Sequence, residues 1–119
     1  MRDQPAGAAI FFDTPLDGLL AAGESGDGFP EALSLFRAVA KKVPAYRMLL
    51  AERKIDPLTV SSPADFAGLP LLDKANYIRR FPLDHLVLGG RLERSDFFAV
   101  SSGSTGEPTF WPRAQADEF

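Results

Sequence analysis

The chain has 119 residues, 45% hydrophobic, 24% charged and 11% aromatic, which suits one ordinary globular domain with a core of its own. Thirteen basic against sixteen acidic residues leave a net charge of −3, so there is no electrostatic footprint for nucleic acid or an anionic membrane. Cysteine is absent and His85 is the only histidine, which excludes disulfides, thiolate catalysis, Cys-based zinc or iron–sulfur sites and multi-histidine metal sites.

Glycine and proline number 10 each, about 17% of the chain against roughly 12% in average usage. That excess predicts many turns and short elements. No apolar run approaches the roughly 18 residues of a membrane-spanning helix. The stretch Ala8-Ala9-Ile10-Phe11-Phe12 is interrupted by Asp13 and Pro15, too short and too early broken for a secretion signal, and the expected location is cytoplasmic.

Residues 1–29 lack sustained periodicity and read as an irregular lead-in, with at most one apolar turn at Leu16, Leu19 and Leu20 and a flexible Gly-Glu-Ser-Gly-Asp-Gly loop at 23–28. From Pro30 the pattern changes. Leu33, Phe36, Val39, Ala40 and Val43 recur at helical spacing, with Glu31 near the start and Lys41 and Lys42 near the end, until Pro44 interrupts. A second helix follows, with Tyr46, Leu49 and Leu50 inward and Arg47, Glu52 and Arg53 outward. Ser62-Pro63-Ala64-Asp65 has the form of a capping box, and Gly68 and Pro70 stop that helix. Asp73 is placed to cap a helix over about Lys74 to Arg80, closed by Pro82. Gly89-Gly90 marks a turn.

The last third has strand character. Asp96 to Ser101 is apolar and aromatic. Thr109-Phe110-Trp111 reads as a second strand ending at Pro112, and 114–119 as the start of a helix. Uncovered strand edges here predict self-association or poor solubility. Between the strands, Ser101-Ser102-Gly103-Ser104-Thr105-Gly106-Glu107-Pro108 is the most informative stretch. Gly103 and Gly106 allow close approach of a ligand to the main chain, whose amides can form a concave anion site. Four hydroxyls add donors, each hydrogen bond to a charged group contributing roughly 1.5–3 kcal/mol. A solvated connection has the same composition. The loop is neither a Walker A motif, a nucleophile elbow nor a dinucleotide fingerprint.

The string from Val100 to Thr109 closely resembles the phosphate loop of adenylate-forming enzymes, in the form S-S-G-T-T-G-x-P-T of the phenylacetate–coenzyme A ligase family. Val43-Pro44-Ala45-Tyr46-Arg47, Ile55-Asp56-Pro57 and Phe66 to Lys74 are similar, in order and spacing, to that family's amino-terminal pattern V-P-x-Y-R, a short link, then D-F-x-x-L-P-x-x-x-K. The resemblance covers roughly Pro30 to Arg113. It implies an α/β fold: an amino-terminal helical region to about residue 86, then the first strands and phosphate loop, 96–112, of an incomplete ligase large domain. It also implies activation of a carboxylic acid, aryl-acetate-like, with ATP and Mg2+ to an acyl-adenylate, and transfer to coenzyme A or another thiol. The implied phosphate ligands are Ser101, Ser102, Gly103, Ser104, Thr105 and Gly106. Ser104 stands for the usual threonine and keeps its hydroxyl. Glu107 occupies the variable position and would repel a triphosphate unless it points away.

On the same resemblance the adenine pocket, the acyl pocket, the magnesium-facing acid and a mobile carboxyl-terminal domain lie further along, so this stretch is expected to be an inactive fragment of a longer ligase. The alternative is a degenerate, non-catalytic relative acting as an interaction or weak phosphate-binding module. Elsewhere, His85 reads as a surface or capping residue, Lys74 and Arg113 as surface charges, and Phe97, Phe98, Phe110 and Trp111 as core or interface.

Overall fold

The computed structural model describes Ile10 and residues 13–24, 26–103 and 106–115. The chain divides into two units, Asp27–Leu92 and Met1–Gly26 with Glu93–Phe119.

In the first unit, α2 spans Phe29–Lys42 and α3 Pro44–Glu52 (α1, Leu16–Glu24, belongs to the second unit). Pro30 sits in the first turn of α2 with Glu31, and Lys41 and Lys42 occupy its last turn, complementing the helix dipole at both ends. Val43 ends α2 because Pro44 disfavours helical geometry in the residue before it. Its backbone is extended, at φ −100° and ψ 111°, so the same residue stands at the end of α2 and the entry to α3. Pro44 then opens α3, where no amide partner is needed. After α3, the Ile55 amide returns to the Leu50 carbonyl at 2.9 Å across Lys54, whose φ is +55° in a position usually given to glycine.

Two short elements follow. α4, Pro63–Ala67, opens on a complete capping box. Ser62 Oγ accepts from the Asp65 amide at 3.1 Å, and Asp65 Oδ2 accepts from the Ser62 amide at 3.0 Å. Asp73 and Asn76 repeat the device at 2.7 and 2.9 Å. The helix expected over Lys74 to Arg80 is instead a five-residue π turn, Lys74–Ile78, in which the Arg79 amide reaches the Lys74 carbonyl at 2.8 Å. Tyr77 and Phe81 are both anchored in the core, and Pro82 forbids a further helical turn. Three 3-10 turns close the unit and lead out of it: Leu83–Leu86, Leu88–Gly90 and Leu92–Arg94. Gly89 and Gly90 take φ +71° and +67°, which reverses the chain between them.

The core of this unit is built from Phe36, Ala40, Val43, Ala45, Tyr46, Leu49, Leu50, Val60, Tyr77 and Phe81, all buried. Burying one leucine such as Leu50 stabilises by roughly 1.5–3 kcal/mol relative to leaving it exposed. Six rings run through the core edge to face: Phe29 on Phe66, Phe66 on Phe36, Phe36 on Tyr46, Tyr46 on Tyr77 and Tyr77 on Phe81. Their centroids are 5.6–6.3 Å apart. Edge-to-face pairs at this distance add about 0.5–1.5 kcal/mol each beyond their buried area. They tie α2, α3, α4 and the π turn to one another.

The second unit contains α1, Leu16–Glu24, and a two-stranded antiparallel ribbon, β1 (Phe97–Val100) and β2 (Phe110–Arg113). α1 corrects the expectation of an irregular lead-in. Three leucines and two alanines outweigh Gly18 and Gly23 in helix propensity, although none of its residues is buried. The ribbon pairs Phe97 with Arg113, Phe98 with Pro112, Ala99 with Trp111 and Val100 with Phe110. Pro112 therefore lies inside β2 and does not end it as expected. Ser101 and Thr109 form a hydrogen-bonded pair just beyond the ribbon, so bonded pairs alternate back to Ala99–Trp111. That places Phe98–Pro112 where the β2 amide faces outward, the one kind of strand position that tolerates proline. Of the helix expected over 114–119, residues 116–119 lie outside the described residues. The Gln115 amide donates to Asp96 Oδ2 at 2.9 Å.

Candidate functional site

The loop between β1 and β2 is closed at its neck by two hydrogen bonds between the same two residues. The Ser101 amide donates to the Thr109 carbonyl at 2.9 Å, and the Thr109 amide donates to Ser101 Oγ at 2.9 Å. A side-chain oxygen thus takes the place of the carbonyl that a regular ladder would use. Thr109 is buried, at 6% exposure, so its amide would be costly to leave unpaired. Ser101, expected as a phosphate ligand, is first of all the latch of the neck. Its hydroxyl hydrogen is not used by that contact.

Inside the neck the Gly106 amide donates to the Gly103 carbonyl at 2.9 Å, closing a four-residue turn. Gly103 has φ +63°. A Cβ there would stand 2.8 Å from the Gly106 carbonyl oxygen and 3.0 Å from the Pro108 nitrogen. Conformation and space both demand glycine at this position. Gly106 has φ +145°, also in the region that side-chain-bearing residues avoid. Ser102 is exposed and Gly103 half-buried. Ser104 and Thr105 lie outside the described residues. Glu107 and Pro108 are exposed.

The loop can offer main-chain amides and hydroxyls on a fixed stem. Among the described residues no three His, Asp or Glu side chains gather to hold a metal. Thr109 is the residue whose role is not visible in the motif. A hydroxyl residue two positions before the turn glycine, facing a β-branched residue at the far end of the loop, is the pattern that would have pointed to the neck.

The remaining candidates are dispersed. His85 is half-buried in the 3-10 turn at Leu83–Leu86, its amide bonded to the Pro82 carbonyl at 3.0 Å. Lys74 opens the π turn. Arg113 lies in β2, where its carbonyl accepts the Asp96 amide at 2.9 Å. Phe97, Phe98, Phe110 and Trp111 are not core residues; they are 44%, 50%, 51% and 38% exposed.

One further concave feature lies within 27–92. It is an apolar hollow of about 410 Å3, lined chiefly by Leu35, Phe36, Val39, Tyr46, Phe66 and Tyr77. Burial pushes the Tyr77 phenol up to about 12, with the neighbouring Tyr46 adding to it, and burial raises Tyr46 as well. Among the described residues these hydroxyls are the only polar side-chain groups in the lining, and both stay neutral at physiological pH.

No protein-family model, curated protein or solved structure matches the chain. Among the described residues no helix is long and apolar enough to cross a membrane.

Proposed function

We propose that residues 101–109 are the phosphate loop of an adenylate-forming acid–thiol ligase of the phenylacetate–coenzyme A ligase kind, and that this chain is the amino-terminal part of such an enzyme. The observation that carries the reading is Gly103. It sits at φ +63° in a turn that no side chain could enter, above a neck latched by Ser101 and Thr109. A plain turn can use positive φ as well, as Gly89 and Gly90 do; what supports the reading is this constrained glycine inside a string that resembles a phosphate loop, where main-chain amides must meet a phosphate.

In this reading Ser102, Gly103, Ser104, Thr105 and Gly106 hold the β- and γ-phosphates of ATP, and Ser101 both latches the neck and donates its remaining proton. Their work is positioning and charge stabilisation, the greater part of what transfer at phosphorus needs. Mg2+ would accompany the triphosphate and neutralise it. The carboxylic acid, the adenine and coenzyme A would be bound by parts that the resemblance places beyond these residues.

The test is binding of Mg2+–tripolyphosphate to the 119-residue chain, followed through backbone amide NMR. Shifts confined to 101–109 are expected, and Gly103→Val should abolish them while leaving the signals of 27–92 in place. Shifts spread over lysine and arginine residues, or a Gly103→Val variant that binds equally well, would remove the reading. Acid-dependent pyrophosphate exchange is expected to be absent from the isolated chain.

A further inference from the structure

We propose that Ser101 is a positioning residue. By accepting the Thr109 amide, its hydroxyl releases the peptide group between Ser101 and Ser102 from the ladder, and the Ser102 amide becomes the first main-chain donor to an incoming phosphate. The inference rests on the phosphate-loop reading and deepens it.

One bond of a regular ladder is missing at the neck. In an antiparallel hydrogen-bonded pair the two residues exchange both of their backbone bonds. Ser101 opposite Thr109 continues the register that sets Val100 against Phe110, and the Ser101 amide does donate to the Thr109 carbonyl at 2.9 Å. The return bond is diverted, because the Thr109 amide donates to Ser101 Oγ at 2.9 Å. Among the described residues the Ser101 carbonyl then has no donor and the Ser102 amide no acceptor. These two groups are the ends of one peptide unit. A whole peptide is therefore unpaired where the strand enters the loop, and Ser102 is exposed.

The ribbon itself does not need the diversion. Thr109 is buried, at 6% exposure, and its amide requires an acceptor. The Ser101 carbonyl would serve as well as the hydroxyl and would add a complete pair to the ladder. What the diversion changes is the 101–102 peptide. In a planar trans peptide the C=O and N–H point in opposite directions. A Ser101 carbonyl held towards Thr109 would turn the Ser102 amide to the outer side of β1. Released, that peptide can turn its amide into the mouth of the loop. The next residue, Gly103, has φ +63°, and left-handed geometry brings successive amides to one concave side, the form of an anion nest. On the returning limb the Gly106 amide is already bonded to the Gly103 carbonyl at 2.9 Å, and Pro108 has no amide. The entering limb carries Ser102 and Gly103, whose amides have no backbone partner among the described residues.

The test uses the 119-residue chain, with Mg2+–tripolyphosphate as the probe and amide NMR as the readout. The scalar coupling transmitted through a hydrogen bond reads the latch directly. The wild type should show none between the Thr109 nitrogen and the Ser101 carbonyl carbon. Ser101→Val, which has the shape of threonine without its hydroxyl, should gain that coupling as the ladder closes. It should keep the signals of 97–100 and 110–113 and bind about tenfold more weakly or worse, the loss expected for one hydrogen bond to a charged group. Ser101→Thr restores the hydroxyl on the same branched frame, and should lose the coupling again and recover the binding. Ser102→Pro removes the amide and leaves the Ser101 hydroxyl in place. It should bind about tenfold more weakly than Ser102→Ala, with the Thr109 amide signal unmoved. A Thr109-to-Ser101 carbonyl coupling in the wild type would overturn the proposal. So would a Ser101→Val variant that binds as tightly as Ser101→Thr, or equal binding by Ser102→Pro and Ser102→Ala; these outcomes leave the loop reading standing. A wild-type chain that binds no tripolyphosphate at 101–109 would remove the loop reading and this inference together.

Discussion

The stretch 27–92 and the ribbon with its loop both carry several aromatic residues and use them in opposite ways. In 27–92 the rings of Phe36, Tyr46, Tyr77 and Phe81 are buried and stacked edge to face. In the ribbon Phe97, Phe98, Phe110 and Trp111 are between 38% and 51% exposed. The first is held together by a core. The second is held by local hydrogen bonds, a side-chain latch and one glycine that nothing else can replace. The difference teaches that shape in the loop is set by backbone constraint, not by burial, so it can be lost without melting the helices. The molecule also carries its own reporters. Both tyrosines, Tyr46 and Tyr77, belong to the helical stretch, and the single tryptophan, Trp111, belongs to the ribbon.

The largest effect should come from breaking the ring series at its middle. Phe36→Ala removes a side chain packed against both Tyr46 and Phe66. It should cost about 3–5 kcal/mol in the unfolding transition followed by tyrosine circular dichroism. Phe98→Ala, the same chemical change on a half-exposed ribbon residue, should cost less than about 1 kcal/mol in that transition. Equal losses would erase the contrast between the two regions.

Alkaline pH sharpens the comparison through ionisation. The two phenols are raised by burial, Tyr77 to about 12 from an ordinary 10.0. An acid whose folded pKa lies above its unfolded value holds its proton in the folded state after the unfolded chain has released it. The stabilisation is therefore complete below pH 10 and declines between about 10 and 12. Absorbance of phenolate at 295 nm should lag that of free tyrosine, then rise steeply as 27–92 unfolds. Trp111 fluorescence should not follow the same curve. Simultaneous transitions in the two signals would show one cooperative unit.

Much of this contrast is legible in the amino-acid sequence, and the part that is not has a common cause. The inward faces of α2 and α3 follow from 3.6-residue spacing, and Ser62 with Asp65 from a capping pattern that acts within four residues. The demand for glycine at Gly103 is also readable, since a Ser/Thr/Gly loop between two strands needs positive φ. What cannot be read depends on partners distant in sequence. Pro112 is allowed within β2 only because of its register against Phe98. Ser101 becomes a latch only because Thr109 lies opposite. The half-exposed state of the ribbon rings is set by what lies over the strands, which no local pattern contains. Gly18 and Gly23 hide α1, and the π turn follows from two core anchors, Tyr77 and Phe81, that propensity does not weigh.

A smaller effect should come from the capping box. Ser62→Ala removes the acceptor of the Asp65 amide and should cost about 1 kcal/mol. Asp65 is held below the ordinary carboxyl value of 3.8 by the Ser62 hydroxyl foremost, and by the Ser61 and Ser62 amides. A depressed carboxyl stabilises the fold above its unfolded pKa and ceases to as pH falls through the folded one, so the cap weakens only in acid, below about pH 4. In the carboxyl region of the NMR spectrum Asp65 should titrate below the ordinary carboxyl value of 3.8, and Ser62→Ala should bring it back towards that value. A Ser62→Ala variant with an unmoved Asp65 would assign the shift to the amides alone.

The smallest effect should be at the surface of the packed region. Arg80 Nη2 meets Glu52 Oε1 at 2.6 Å, but both side chains are 44% exposed. Exposed pairs of this kind contribute about 0.2–1 kcal/mol, and salt screens them. Arg80 also lies over the Phe81 ring, 5.0 Å from its centroid, and so joins the aromatic series from outside. Glu52→Gln removes only the ion pair, whereas Arg80→Ala removes the ion pair and the cover over Phe81. The second should therefore be the more costly, and the excess should persist in 0.5 M salt while the effect of Glu52→Gln fades. Equal costs at low and high salt would mean that the ring, not the carboxylate, is what Arg80 is there to meet, and that even the outermost contact of this region is an extension of its core.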